Sequence, residues 1–130
     1  MAVADLRNET TEIITGNDNI VIVNHFDGIR GGRTLDVTGY PHSVIKAGHV
    51  IIKDSNEYKP MPLNEAGDAY AALPESASYA GYLVASIPTK RPFAAIMVRG
   101  TINPKATPFS MDTILEAVKT ALPLIDYQED

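Results

Sequence analysis

The stretch Ala47–Asn103 constrains the fold most, because its short apolar runs are separated by Gly, Pro, Asn and Asp residues. It begins with AGHVIIKDSNEYKPMPL and ends with GYLVASIPTKRPFAAIMVRGTIN. Runs of this kind are typical of short β-strands joined by tight turns. The sequence therefore predicts a mainly β fold organised around this stretch.

Two segments within it, Gly81–Ile87 and Phe93–Ile102, are the most apolar of the chain and predict central strands that are partly buried on both faces. Asp54–Glu57 predicts a hairpin turn. Pro60 and Pro62 follow that turn, and proline cannot donate a hydrogen bond to a neighbouring strand. The strand after the turn is therefore expected at an edge of the sheet.

Three further features predict local structure. Gly48 and Gly100 interrupt apolar runs, so each predicts a bulge or an unusual backbone angle. Val44-Ile45 predicts a short strand. The Ala-rich segment Ala69–Leu73 favours a short helical turn between Gly67 and Pro74, which would limit it.

One amphipathic helix is predicted over residues 110–122. Ser110 is a suitable N-cap, and Asp112 places a negative charge in the first turn. Pro123 limits the helix to about three turns. The acidic tail after Ile125 is expected to be mobile. The apolar stripe has the 3.6-residue spacing of a helix face and comprises Ile114, Leu115, Val118, Ala121, Leu122 and Ile125.

The N-terminal region divides into an arm, residues 1–12, and the start of a single β-rich domain, residues 13–130. Terminal segments fray in general, and the alternative is an arm that orders on a partner by adding a strand to a sheet edge. Asp5, Leu6 and Arg7 are the arm's candidate partner contacts. The β-branched segments on either side of Gly16–Asn19 predict a hairpin.

Asp27–Arg33 is a basic loop that contains three glycines. A phosphate-binding loop would open a helix, whereas the residues that follow, Thr34–Thr38, alternate like a strand. The favoured interpretation is a tight turn that presents Arg30 and Arg33 to a partner, since arginine is enriched at interfaces.

Composition excludes several classes of function. The chain of 130 residues predicts one domain with a modest core. A net charge of −5 argues against a protein that coats nucleic acid, and the absence of cysteine excludes disulfides and thiolate sites. Met1–Ile13 has no apolar region typical of a signal peptide, and no run of residues is apolar enough to predict a membrane span.

The sequence contains no pattern that predicts catalysis. His25, His42 and His49 do not form an HExxH motif or an i, i+4 pair, so no metal site is predicted. No serine lies in a Gly-x-Ser-x-Gly turn. The chain is therefore expected to be neither an enzyme nor a cofactor protein, and its function is expected to come from its surface and assembly.

The order of features resembles that of the head decoration and head fibre proteins of tailed bacteriophages. Ala47–Val50 turns into a strand, a hairpin ends in Tyr58–Pro60, and a Gly-x-Leu strand begins at Gly81. A strand that contains Arg-Gly, Ala95–Ile102, precedes the C-terminal helix. Gly31–Val37 is also similar to a segment of these head proteins.

This resemblance implies a β-clip-like small barrel and a homotrimer on the outside of a capsid, made in the bacterial cytoplasm. The partner would be the major capsid protein, with no role for nucleic acid, membrane or cofactor. Truncation of residues 1–12 would then abolish capsid binding and leave the fold intact. The regular Thr11–Val37 region departs from the simple arm of that family.

The opening Ala-Gly-x-Val-Ile is also similar to SAF-type domains, which share a β-clip-like architecture. That alternative implies a binding module for a sugar or an anionic ligand, held by Gly28–Arg33. A thermal shift with sugar acids or phosphates that is lost in Arg30→Ala or Arg33→Ala would favour it. A subunit or fragment of an enzyme is the third and weakest alternative.

Overall fold

A computed structural model describes residues 16–128 of the chain. Ten strands and two short helices make up the regular structure. The helices are α1 (Asp18–Val21) and α2 (Leu115–Ala121). The strands are β1 (Ile22–Gly28), β2 (Arg33–Thr34), β3 (Val44–Ile45), β4 (Val50–Asp54), β5 (Glu57–Pro60), β6 (Ala77–Leu83), β7 (Ile87–Pro88), β8 (Phe93–Ala94), β9 (Ile96–Ile102) and β10 (Ile125–Tyr127).

Six strands form one sheet in the order β1-β9-β6-β4-β5, with β10 parallel to β9. The pairs along this order are antiparallel. Two small ribbons, β2 with β8 and β3 with β7, complete the strand pairing of residues 16–128. The mainly β fold with a C-terminal helix is confirmed, but the described part of the sheet stays open instead of closing into the expected small barrel.

The central strands alternate their side chains between two apolar clusters, one on each face of the sheet. In β4, Val50 and Ile52 belong to the larger cluster and Ile51 to the smaller one. In β6, Tyr82 belongs to the larger cluster and Leu83 to the smaller one. All five side chains are fully buried. Since each such side chain contributes about 1.5–3 kcal/mol on burial, the two-sided core fixes the register of these strands.

The hairpin predicted at Asp54–Glu57 joins β4 to β5, and β5 lies at one edge of the sheet, as its prolines indicate. Ser55 has a φ of 56°, in the left-handed region. Gly48 also has a positive φ, 87°, and a Cβ there would collide with Cγ1 of Val21. The unusual backbone angle predicted at Gly48 is therefore present, and the missing side chain lets α1 pack closely against the segment before β4.

Two local predictions are wrong because of a distant contact. α1 begins at Asp18, inside the segment predicted to be a hairpin turn, and the strand expected before that turn, Thr11–Thr15, lies outside the described residues. The carboxylate of Asp18 accepts hydrogen bonds from the Ser86 amide and hydroxyl, which anchors this turn. Ala69–Leu73 is not helical, because Tyr70 forms a bridge with Leu63 and its hydroxyl accepts a hydrogen bond from the Val50 amide.

The acidic tail was expected to be mobile, but its first described residues, Asp126 and Tyr127, belong to a strand. Ile125 is buried, and β10 pairs with β9. The hydroxyls of Tyr127 and Tyr82 lie 2.9 Å apart.

The C-terminal helix is shorter than predicted. Its N-cap is Ile114, whereas Ser110 only accepts a 3.4 Å bond from the Asp112 amide in the preceding turn. The apolar stripe is confirmed in part: Ile114, Val118 and Leu122 are buried, but Ala121 is exposed and Ile125 lies in β10, after the helix. The helix ends at Ala121, two residues before Pro123.

Candidate interaction edge and aromatic cleft

The strand β1 is the outermost strand at one side of the sheet. It pairs with β9 from Ile22↔Ile102 to Gly28↔Met97, and no other described strand pairs with it. Five of its seven residues are exposed and none is buried. A strand in this position presents unpaired backbone N–H and C=O groups, which can pair with another chain.

Exposed apolar side chains lie along this edge. Phe26 is 66% exposed and Val23 is 42% exposed, and Ile20 of α1 is 53% exposed. Phe26 also lines a groove of about 430 Å³ together with Leu124, which is 62% exposed. We call Val23, Phe26, Leu124 and the outer side of β1 the open edge.

One cation and one carboxylate complete this groove. Arg99 and Asp126 both line it and both are exposed. Asp126 accepts a 2.7 Å hydrogen bond from the Gln128 amide, whereas Arg99 has no side-chain partner within residues 16–128. An unpaired guanidinium beside exposed apolar rings is a common arrangement at protein interfaces.

The seam between β1 and β9 is irregular. The register shifts three times, and one shift lies between His25 and Asp27. A Cβ at Gly100 would collide with the carbonyl oxygen of Asn24 on the paired strand. Glycine at this position therefore allows the two backbones to approach, which confirms the expected special role of Gly100.

The candidate partner contacts predicted from the sequence fall in two places. Asp5, Leu6 and Arg7 lie outside the described residues, as does the arm boundary at residue 12. Arg30 is exposed in the turn that follows β1. Arg33 instead supports that turn: its Nη1 donates to the carbonyls of Arg30 and Gly32, and its guanidinium lies 5.7 Å from the centre of the Tyr58 ring.

The glycine loop lacks the geometry of a phosphate-binding loop. Gly31 and Gly32 have φ angles of 77° and 68°, and they lead into β2 instead of a helix. Because phosphate loops use the N-terminus of a helix, the structure agrees with the turn that the sequence favoured.

The three histidines have different environments. His25 is exposed in β1, and the Nε2 atom of His42 lies 2.7 Å from the Gly67 carbonyl oxygen. His49 is completely buried. Within residues 16–128, no group of three or more His, Asp or Glu side chains is arranged to hold a metal ion.

Hydrogen bonding assigns the tautomer of His49. Its Nε2 lies 3.1 Å from the Met61 carbonyl oxygen, which can only accept, so Nε2 carries the proton. Its Nδ1 is left as a buried acceptor that has no partner in the described part of the chain. Burial lowers the pKa of His49 to about 4, so the imidazole is neutral at pH 7.

An aromatic cleft of about 710 Å³ lies beside His49. Segments 40–46, 67–68 and 106–109 meet there although they are far apart in sequence. The His42 and Phe109 rings are nearly parallel, with centroids 6.1 Å apart, and Tyr40 meets His42 edge-on. The His49 ring packs edge-on against both Tyr40 and Phe109. Folding thus joins His42 and His49 through shared aromatic neighbours.

Comparisons with protein-family models, with curated proteins and with solved structures find no match for this chain. The resemblance to phage head proteins and the similarity to SAF-type domains therefore stay predictions. Of the helices in residues 16–128, none is long and apolar enough to span a membrane.

Sequence reasoning missed the residues of both surfaces. The run Ile20–Phe26 predicts a strand, but nothing in its pattern shows that Phe26 is exposed. Leu124 follows Pro123 and is absent from the helix stripe, which was the available signal that it lies elsewhere. The cleft has no local signal, because Tyr40 and Phe109 are brought together only by the fold.

Proposed function

We propose that this chain is a structural protein that assembles with copies of itself through the open edge and, once assembled, binds a repetitive protein surface. The specific form of the proposal is an auxiliary protein on the outside of a phage head. One observation carries it, namely a strand at the end of the sheet that exposes Val23 and Phe26 and that, within residues 16–128, pairs with β9 on one side and with no strand on its outer side. Edges of this kind are protected in proteins that work alone.

Strand addition explains how such an edge would bind. The main-chain groups of β1 supply hydrogen bonds and register, and pockets beside the edge supply specificity. The groove between Phe26 and Leu124 is such a pocket, and Arg99 favours a carboxylate on the incoming segment. A protein that binds an assembled shell better than free subunits stabilises the shell by its binding free energy.

Trimerisation is the second part of the proposal. A closed ring of three copies needs a heterologous contact, in which one surface of each copy meets a different surface of the next. The open edge would supply one surface. Residues 1–12, which contain Asp5, Leu6 and Arg7, would supply the other.

Light scattering tests the assembly. The expected mass is three times 14.0 kDa for the natural chain. Phe26→Lys should yield the monomer, because it places a charge at the contact. Phe93→Lys is the matched control, since Phe93 is 68% exposed and lies on β8, which pairs with β2 and not with β1. A natural chain that is monomeric at all concentrations would overturn the trimer.

Co-sedimentation with phage heads that lack auxiliary proteins tests the partner. The natural chain should sediment with the heads, and Phe26→Lys should remain in solution. A chain without residues 1–12 should keep its circular dichroism spectrum and lose binding. Phe26→Lys would lose binding because a monomer lacks the multivalent contacts of the trimer. Heads that bind the natural chain and the Phe26→Lys variant equally would show that assembly through the open edge is not needed for docking.

A further inference from the structure

A second surface, separate from the open edge, has the shape and chemistry of a small-molecule site. Its volume of about 710 Å³ lies within the usual range for ligand pockets. We propose that the aromatic cleft binds a saccharide ring, either as a free sugar or as the end of a glycan.

The aromatic wall matches the apolar face of a sugar. The rings of His42 and Phe109 both line the cleft and are stacked at 24° from parallel, with centroids 6.1 Å apart. The axial C–H groups of a pyranose carry partial positive charge and pack against the negative faces of aromatic rings. Val44 and Pro108 extend the apolar part of the lining.

The polar lining matches the hydroxyl groups of a sugar. Asn17, Ser43, Lys46 and Asp68 supply an amide, a hydroxyl, an ammonium group and a carboxylate around the same space. Sugar hydroxyls both donate and accept, so they need such a mixture. Burial raises the pKa of Tyr40 to about 12, so its hydroxyl also stays protonated at neutral pH.

Asp68 is held in place for this role. The Asn64 side-chain amide donates to Oδ1 of Asp68 at 2.9 Å, and the Asp68 amide donates to Oδ1 of Asn64 at 3.2 Å. The other carboxylate oxygen, Oδ2, has no hydrogen-bond partner within residues 16–128. It is therefore free to accept a hydrogen bond from a ligand hydroxyl.

The charges in the cleft argue against a phosphate group as the ligand. Lys46 is the only Lys or Arg among the described lining residues, and Asp68 shares the cleft with it. Phosphate sites use several cationic groups or the N-terminus of a helix. The arrangement suits a neutral sugar or one with a single carboxylate.

Titration of the ¹⁵N-labelled full chain with monosaccharides, followed by NMR, tests the proposal. The panel contains glucose, galactose, N-acetylglucosamine and glucuronate, with inorganic phosphate as the competing anion. At least one sugar should shift amide signals of segments 40–46, 67–68 and 106–109 in a saturable manner. A tetrasaccharide that binds at least tenfold more tightly than its terminal sugar would assign the site to a glycan, and equal affinities would assign it to a free sugar.

Variants locate the site. Phe109→Leu removes an aromatic wall, and Asp68→Asn removes a carboxylate at an exposed position, where misfolding is not expected. Both should weaken binding at least tenfold, whereas Phe93→Leu, at an exposed aromatic outside the cleft, should bind as the natural chain does. The proposal is overturned if no sugar shifts these signals at 100 mM, if only phosphate does, or if Asp68→Asn binds normally.

Discussion

The two end strands of the main sheet, β1 and β5, are protected to very different degrees. The carbonyl of Tyr58 in β5 accepts a 2.8 Å hydrogen bond from the Asp36 amide, so a loop covers that edge. Lys53 and Arg33 both lie over the Tyr58 ring, and Pro60 cannot donate to an added strand.

Among the described residues, β1 has no covering loop, no cation over an aromatic ring and no proline on its outer side. It exposes Val23 and Phe26 instead. Blocking one edge while leaving the other apolar directs strand addition to a single place. Under the proposed function, this difference between the two edges would set where a strand adds, and four changes test the comparison.

The largest effect is expected at the seam that holds β1 to the sheet. Gly100→Ala would place a Cβ against the Asn24 carbonyl oxygen, and backbone atoms cannot move aside cheaply. We expect a loss of about 3 kcal/mol or more in the free energy of unfolding, measured by urea denaturation. Gly16→Ala is the control, because nothing lies within 4 Å of a Cβ there. Equal stability of the two variants would contradict this account of the seam.

The next effect concerns stability in acid and the side of the sheet that ends in β5. His49, just before β4, hydrogen-bonds to the carbonyl of Met61, just after β5. Its pKa is lowered from 6.5 to about 4 by burial, so its contribution to stability is fully present above pH 6.5. As the pH falls to about 4, about 3 kcal/mol should be lost, since one pKa unit corresponds to about 1.4 kcal/mol.

His49→Phe should remove this part of the pH dependence, and His25→Gln should keep it, because His25 is exposed. Urea denaturation at several pH values provides the measurement. Parallel pH profiles for the natural chain and His49→Phe would disprove the assignment.

A smaller effect is expected from charge on the open edge. Val23→Lys adds a lysine of the type that blocks edge strands, so self-association should weaken about tenfold, or about 1.4 kcal/mol. Stability should change by less than about 0.5 kcal/mol at this exposed position. Sedimentation equilibrium measures the association. Lys59→Gln on β5 is the control and should associate normally; equal weakening in both would remove the distinction between the two edges.

The smallest effect is expected at the β4–β5 turn. Ser55 has a φ of 56°, which strains any residue with a side chain. Ser55→Gly removes this strain, although glycine also gives the unfolded chain more conformational freedom. We expect a gain of about 0.5 kcal/mol in thermal denaturation. Asn56→Gly, at the neighbouring position without a positive φ, should instead lose stability. A gain at Asn56 would show that the two turn positions are assigned incorrectly.

Patterns of neighbouring residues predicted the strands and turns that are determined by neighbouring residues. Of the two apolar segments, Phe93–Ile102 contains β8 and β9, whereas Gly81–Ile87 contains only the end of β6 and the start of β7. Asp54–Glu57 formed the turn, and the prolines after it marked an edge. Errors arose where a distant group intervened. The Ser86 hydroxyl and amide hold Asp18 in a helical turn, and Tyr82 meets Tyr127 in a tail that composition alone predicts to be mobile.

The sequence by itself determined the β class, the two-sided burial of the central strands, the stripe of α2 and the special positions of Gly48 and Gly100. Side-chain alternation, proline chemistry and helical spacing are properties of neighbouring residues, so they can be read along the chain. The tertiary structure alone decided which edge stays open and where the aromatic cleft forms. Both depend on which distant strands pair and which loops meet, because residues such as Tyr40 and Phe109 become neighbours only when the whole sheet has assembled.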